Sequence, residues 1–97
     1  MIRSFGDRGT EDLFHGISSK AARSIPQNLW KVAHRKLDML NAAHALTDLA
    51  VPPANWLEAL KGDLKGSHSI RINDQYRVVF KWLDGNVHDV RIEDYHS

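Results

Sequence analysis

The sequence predicts an α+β fold, with two N-terminal helices packed on one face of a small, mainly antiparallel β-sheet. Three observations carry that expectation. Helical periodicity is confined to the first half of the chain, and period-two alternation to the second half. Consecutive prolines, Pro52 and Pro53, stand between the two regimes. A doubly wound parallel fold would instead alternate strand and helix.

Taken in order, Ile2 to Phe5 alternates apolar and polar residues as a short strand, and Gly6 and Gly9 interrupt it. A short helix is expected next. Thr10 is its expected cap, Glu11 and Asp12 favour the positive end of its dipole, and Gly16 stops it. Ser24 and Gln27 stand at capping-box spacing with Pro26 tolerated in the first turn, so a longer helix is expected from there. Leu29, Ala33, Leu37, Leu40 and His44 form its apolar stripe, His44 serving as a helix-terminal residue. From Asp48 through Val51-Pro52-Pro53-Ala54 the prolines remove backbone donors and impose extended conformations, so no helix crosses this connection.

Two strands are expected at Ser67 to Asn73 and Tyr76 to Trp82, joined around Asp74 and Gln75. Asp84-Gly85 supplies the turn chemistry for a second hairpin into Val87 to Ile92. Alternation puts His68, Ile70 and Ile72 on one face with Tyr76, Val78, Phe80 and Trp82, which is the expected core. Ser69, Arg71 and Asn73 fall on the opposite face, with Arg77, Val79 and Lys81, and that face is left open. Arg71 and Arg77 thereby become candidate phosphate contacts, or else ordinary solubilising charges.

Composition bounds the function. Ninety-seven residues suit one domain over 1–97, and 42% hydrophobic with 26% charged residues is ordinary for a globular chain. The absence of cysteine removes disulfides, thiol catalysis and cysteine-rich zinc sites, and suits a reducing cytoplasm. No stretch of about 18 apolar residues occurs, so neither a membrane span nor a signal peptide is expected. A net charge of +1 argues against indiscriminate binding of free nucleic acid. Within that balance, however, no acidic residue lies between Asp12 and Asp38, an interval holding Lys20, Arg23, Lys31, Arg35 and Lys36. This is either an anion-docking face or a solvated helix flank.

Walker, dinucleotide-binding, nucleophile-elbow and HExxH patterns are all missing. The six histidines never approach zinc-site spacing: His88 and His96, eight positions apart, would be roughly 26 Å apart along an extended strand. No metal and no cofactor is expected. Lys61, Arg71, Arg77 and the terminal Asp94-Tyr95-His96 remain, a set suited to metal-free RNA cleavage. There, a base takes the proton of a ribose 2′-OH and the oxygen attacks the adjacent phosphate. Cations hold the added negative charge, and an acid protonates the departing 5′-oxygen. An imidazole's ordinary pKa of about 6.5 suits His96 to proton transfer, with a simple chain terminus as the alternative.

Leu60-Lys61-Gly62-Asp63, the run from Gly66 to Arg77, Glu93-Asp94-Tyr95-His96 and the opening Met1-Ile2-Arg3-Ser4-Phe5 resemble the HigB-type plasmid-maintenance killer proteins of the RelE/ParE superfamily. The resemblance runs the length of the chain in order. It implies a RelE-like fold, a toxin of a type II toxin–antitoxin system, and ribosome-dependent cleavage of messenger RNA that inhibits translation in the cytoplasm. The implied partners are a HigA-like antitoxin with a helix-turn-helix domain, the ribosome and its mRNA, with DNA reached only through the antitoxin and no membrane. Lys61, Arg77 and His96 match the family's functional lysine, strand arginine and C-terminal histidine, with Tyr95 and Asp94 beside them. Asn73 stands where some relatives carry a further arginine, and Arg71 is the substitute expected from the same face. Lys61, Arg71, Arg77, Tyr95 and His96 are therefore the expected catalytic set, and Lys65, Asn73 and Asp94 the expected RNA contacts. A ribosome- or RNA-binding regulator with little nuclease activity is the alternative on the same scaffold, and a structural partner of a DNA-binding antitoxin is a third.

Overall fold

The structure is a computed structural model and describes residues 1–94. Helix α1 spans Arg8–Phe14 and α2 Trp30–Ala42, and four strands follow: β1 Glu58–Ala59, β2 Ser67–Arg71, β3 Tyr76–Leu83 and β4 Asn86–Asp94. The sheet order is β1-β2-β3-β4, every neighbouring pair antiparallel. Among the described residues no helix is long and apolar enough to cross a membrane.

The N-terminal segment does not build a regular strand. Ile2 and Phe5 make isolated parallel bridges to Val87 and Val90, running along the outer edge of β4 and satisfying its backbone. Asp7, rather than Thr10, caps α1: its carboxylate accepts from the Thr10 N–H at 2.7 Å. Thr10 lies one turn inside the helix, buried, where its hydroxyl accepts from the Ile92 N–H at 2.9 Å and ties α1 to β4. Gly9 is required by close approach, because a Cβ there would meet the Ala21 carbonyl oxygen at 2.6 Å.

The expected capping box at Ser24 and Gln27 does not form. Ser24 Oγ donates instead to the Ala21 carbonyl, and two short 3₁₀ turns at 22–24 and 27–29 precede α2. Local side-chain-to-backbone bonding by serine competes with helix initiation in this way. Within α2, Ala33, Leu37 and Leu40 are fully buried as the stripe requires, and Leu29 is half-buried ahead of the helix. His44 lies beyond the C-terminus, exposed. The stripe packs with Leu13, Ile25 and Leu49 against Ile70, Val78, Phe80, Val87, Val90 and Ile92 from the sheet.

The proline-bearing connection carries two 3₁₀ turns, at 46–50 and 53–55, with Val51 and Pro52 extended between them. Asp84 and Gly85 both take positive φ, 52° and 77°, the mirror-image turn that matches strand twist. A β-bulge at 88–91 shifts the β3–β4 register between Val79 and Lys81. The face away from the helices is less open than alternation alone suggests, since Ser67, Ser69, Arg77 and Val79 are all buried.

Candidate active site

Arg77 lies on that second face near the start of β3, only 7% exposed. Its Nε donates to Ser69 Oγ at 2.7 Å, and its Nη2 donates to the Trp56 carbonyl at 2.6 Å. Both acceptors are neutral, so the cation is positioned rather than cancelled by them. Directly across the ladder, Arg77 is paired with Arg71 on β2 and with Glu93 on β4. Like charges on facing residues repel, and the two guanidinium groups are held by different partners. Arg71 forms an ion pair with Asp74 and lies over the Trp56 ring, 5.3 Å from its centroid.

Trp56 is the pivot between the two arginines. Its carbonyl binds one and its ring supports the other. Its backbone is left-handed (φ 49°, ψ 57°), a conformation unfavourable for a bulky side chain, and it leaves the indole 59% exposed.

Asn73 shapes the β2–β3 turn. Its Oδ1 accepts from the N–H groups of Gln75 and Tyr76 at 2.9 and 2.7 Å. Asp94 stands opposite Tyr76 on β4 and accepts from Gln75 Nε2 at 3.0 Å. One end of the sheet thus gathers Arg71, Asn73, Arg77 and Asp94. The expected proton-transfer residue His96 and its neighbour Tyr95 lie outside the described residues.

Lys61 and Lys65 stand apart from that group. The Leu60 N–H donates to the Ser67 carbonyl, so Lys61, exposed, leaves the sheet near the beginning of β2, whereas Arg71 ends it. Four residues of strand separate those levels, roughly 13 Å, so the lysines and the arginine pair would meet a bound chain from two directions. Lys65 borders a smaller depression of about 390 Å³ with Lys81 and Arg91, where Asp63 and Asp89 temper the charge.

A larger cleft, of about 640 Å³, opens between α2 and the β2–β3 hairpin. Val32, Arg35 and Lys36 line it from α2, Pro53, Ala54 and Trp56 from the connection, and Arg71, Ile72 and Asn73 from the hairpin. Lys36 is 6% exposed, and its ammonium donates to Asn55 Oδ1. Burial, aided by the neighbouring charge of Arg35, pushes its pKa below the usual lysine value. Asn55 is fully buried and donates from Nδ2 to the carbonyls of Leu49 and Val51.

Sequence reasoning missed Asn55 and Trp56, and it placed Lys36 in the basic interval without its burial. The signal for Lys36 was its spacing, three after Ala33 and four before Leu40, which puts it on the buried stripe. Among the described residues, no three His, Asp or Glu side chains converge as a metal-ligand set.

The chain matches the family model of the HigB-like toxin, described as the RelE-like toxin of the type II toxin–antitoxin system HigB, over residues 3–96. It is 44% identical over 85 residues to Toxin HigB-1 of Vibrio cholerae serotype O1, covering 88% of this chain and 87% of that one. It is 29% identical over 97 residues to Endoribonuclease HigB of Proteus vulgaris, covering 99% and 100% of the two chains. A chain of the solved YoeB–YefM complex from Staphylococcus aureus superposes with a TM-score of 0.58 at 16% identity, covering 100% of this chain and 99% of that chain; this likeness supports the α+β fold alone. Since the family match runs nearly end to end, this chain belongs to the HigB-like toxins, RelE-like toxins of type II toxin–antitoxin systems.

Proposed function

We propose that this HigB-type toxin exerts its endoribonuclease activity on messenger RNA held by the ribosome, without a metal ion, and so halts translation in the cytoplasm. The whole chain, 1–97, acts as one domain. The observation that carries the reading is Arg77: a buried guanidinium fixed by Ser69 and Trp56, paired across the sheet with Arg71, at the end of the sheet that also holds Asp94. A preorganised cation of this kind stabilises the charge that develops on phosphate without reorganising at the moment of reaction.

In the reaction, the 2′-oxygen of one ribose bonds to the adjacent phosphorus after losing its proton to a base, and the bond to the 5′-oxygen breaks as an acid protonates it. The products are a 2′,3′-cyclic phosphate and a 5′-hydroxyl. His96 is the proton-transfer group, Arg77 and Lys61 contact RNA phosphates from two directions, Arg71 adds a third cation, and Tyr95 orients the substrate. Asn73, Lys65 and Asp94 border the RNA path. The ribosome supplies the positioning that a chain of net charge +1 does not build for itself. A HigA-like antitoxin with a helix-turn-helix domain silences the toxin and connects it to DNA.

One observation favours a second reading. Arg71 is compensated by Asp74, which suits a ribosome- or RNA-binding regulator with little cleavage. Messenger cleavage by wild type and by His96→Ala, on programmed ribosomes and on naked RNA, separates the two. The nuclease reading expects cleavage on ribosomes only, lost together with toxicity in the variant. Toxicity that survives without any cleavage moves the assignment to the regulator, and equal cutting of naked RNA removes the requirement for the ribosome.

A further inference from the structure

The cleft between α2 and the β2–β3 hairpin shares Arg71 and Asn73 with the candidate site, but its other lining residues have no part in the chemistry assigned above, and it is built at energetic cost. Among the described residues no carboxylate lines it, while Arg35, Lys36 and Arg71 all do. Lys36 is nearly sequestered, and among the described residues its ammonium donates to the neutral amide oxygen of Asn55 and to no carboxylate. A buried ammonium without a counter-ion is strongly disfavoured, and an adjacent arginine worsens it. Such violations are retained where a ligand relieves them. Apart from Asn73, the remaining walls are apolar: Val32, Pro53, Ala54, Ile72 and the exposed, left-handed Trp56. Cations beside an aromatic and apolar floor match a ligand that carries both a phosphate and a flat ring, and about 640 Å³ lies within the range of small-molecule sites.

We propose that this cleft is a nucleotide subsite, which takes one nucleotide of the RNA next to the scissile phosphate, its base against Trp56 and its phosphate against Lys36 and Arg35. The inference rests on the RNA-cleaving reading and extends it. What favours RNA over an acidic peptide is continuity. Trp56 holds Arg77 through its carbonyl and Arg71 over its ring, so the cleft and the candidate catalytic face share the same residues. Arg71 itself lines the cleft, so a strand lying across Arg71 and Arg77 runs to its edge. The basic interval ending at Lys36 thereby acquires a use at its C-terminal end, where Arg35 and Lys36 reach the cleft.

The test is binding in the absence of ribosomes and of cleavage, by amide chemical shifts and calorimetry on the full chain. The probes are 5′-AMP, adenosine, inorganic phosphate, and a 2′-O-methyl RNA trinucleotide that cannot form the attacking oxygen. We expect the trinucleotide to shift the amides of 32–36 and Trp56. 5′-AMP should bind more tightly than adenosine or phosphate alone. Trp56→Ala and Lys36→Met should each weaken binding roughly tenfold, the scale of one stacked base or one phosphate contact. Arg35→Gln, on an exposed side chain, guards against loss of folding in the other two and should weaken binding several-fold. Unchanged affinity in both Lys36→Met and Arg35→Gln, or shifts confined to the Arg77 end, overturns the inference. So does an acidic, apolar peptide that shifts the cleft amides when RNA does not. If wild type cuts messenger on ribosomes while the trinucleotide leaves the cleft untouched, the subsite falls and the nuclease reading stands. If the trinucleotide occupies the cleft and no messenger is cut, the subsite stands and the nuclease reading falls.

Discussion

Asn73 shows how a position that looks like a substrate contact is also a turn device. Its side-chain oxygen accepts two backbone N–H groups of the β2–β3 turn, so Asn73→Ala should lower stability by about 1 kcal/mol, measured by urea unfolding. Asn73→Asp keeps the acceptor and should fold as wild type, yet it sets a negative charge beside Arg71 and should slow messenger cleavage. If Asn73→Ala slows cleavage with stability unchanged, the side chain contacts RNA directly. Arg77 is constrained more tightly. Lysine cannot span Ser69 Oγ and the Trp56 carbonyl with one fork, so Arg77→Lys should reduce cleavage at least tenfold despite conserving charge, as read in the programmed-ribosome assay.

At the scale of elements, the connection at 46–56 carries only short 3₁₀ turns, and one side chain fastens it to α2. Asn55 accepts from the Lys36 ammonium and donates to two carbonyls of the connection, joining it to α2. Asn55→Ala strands a buried cation and two acceptors together, and the expected loss is about 3 kcal/mol by urea unfolding. A loss below about 1 kcal/mol would mean that the connection is held elsewhere. By contrast, α1 rests on its cap. The Asp7 carboxylate answers one of the helix's open N–H groups, and Asp12 reaches Ser19 Oγ at 2.6 Å, fastening the segment that follows.

For the molecule as a whole, the ionisable groups that fasten these elements set the dependence of stability on pH. The Ser19 hydroxyl, helped by Arg8, holds Asp12 below its ordinary 3.8, and the Ala45 and His44 N–H groups do the same for Asp48. Both carboxyls bind protons more readily when unfolded, so their contribution is complete above pH 3.8 and is lost as pH falls through the folded values. Lys36 works at the other extreme. Its folded pKa lies below 10.5, so the unfolded chain holds the proton longer, and stability should rise as pH climbs from the folded value toward 10.5. Urea midpoints across pH should therefore fall on the acid side and gain on the alkaline side, and Lys36→Met should abolish the alkaline gain while leaving the acid limb intact.

What the sequence by itself determined is whatever depends on near neighbours: the stripe of Ala33, Leu37 and Leu40, the alternation that buries Ile70, Val78 and Phe80, and the Asp84-Gly85 turn. Helix period, strand period and turn geometry are short-range properties, written within a few residues. The end-to-end resemblance carried the toxin family in the same way, through motifs in order. Only the tertiary structure decided that Thr10 anchors a strand while Asp7 caps the helix. It also decided that the two-residue β1 exists at all, since its support is pairing with β2. Lys36 and Asn55 are 19 positions apart, and Trp56 and Arg77 are 21 apart. No periodicity announces such pairs, because the burial of the lysine and the fixing of the arginine arise only when the proline-bearing connection folds back between helix and sheet.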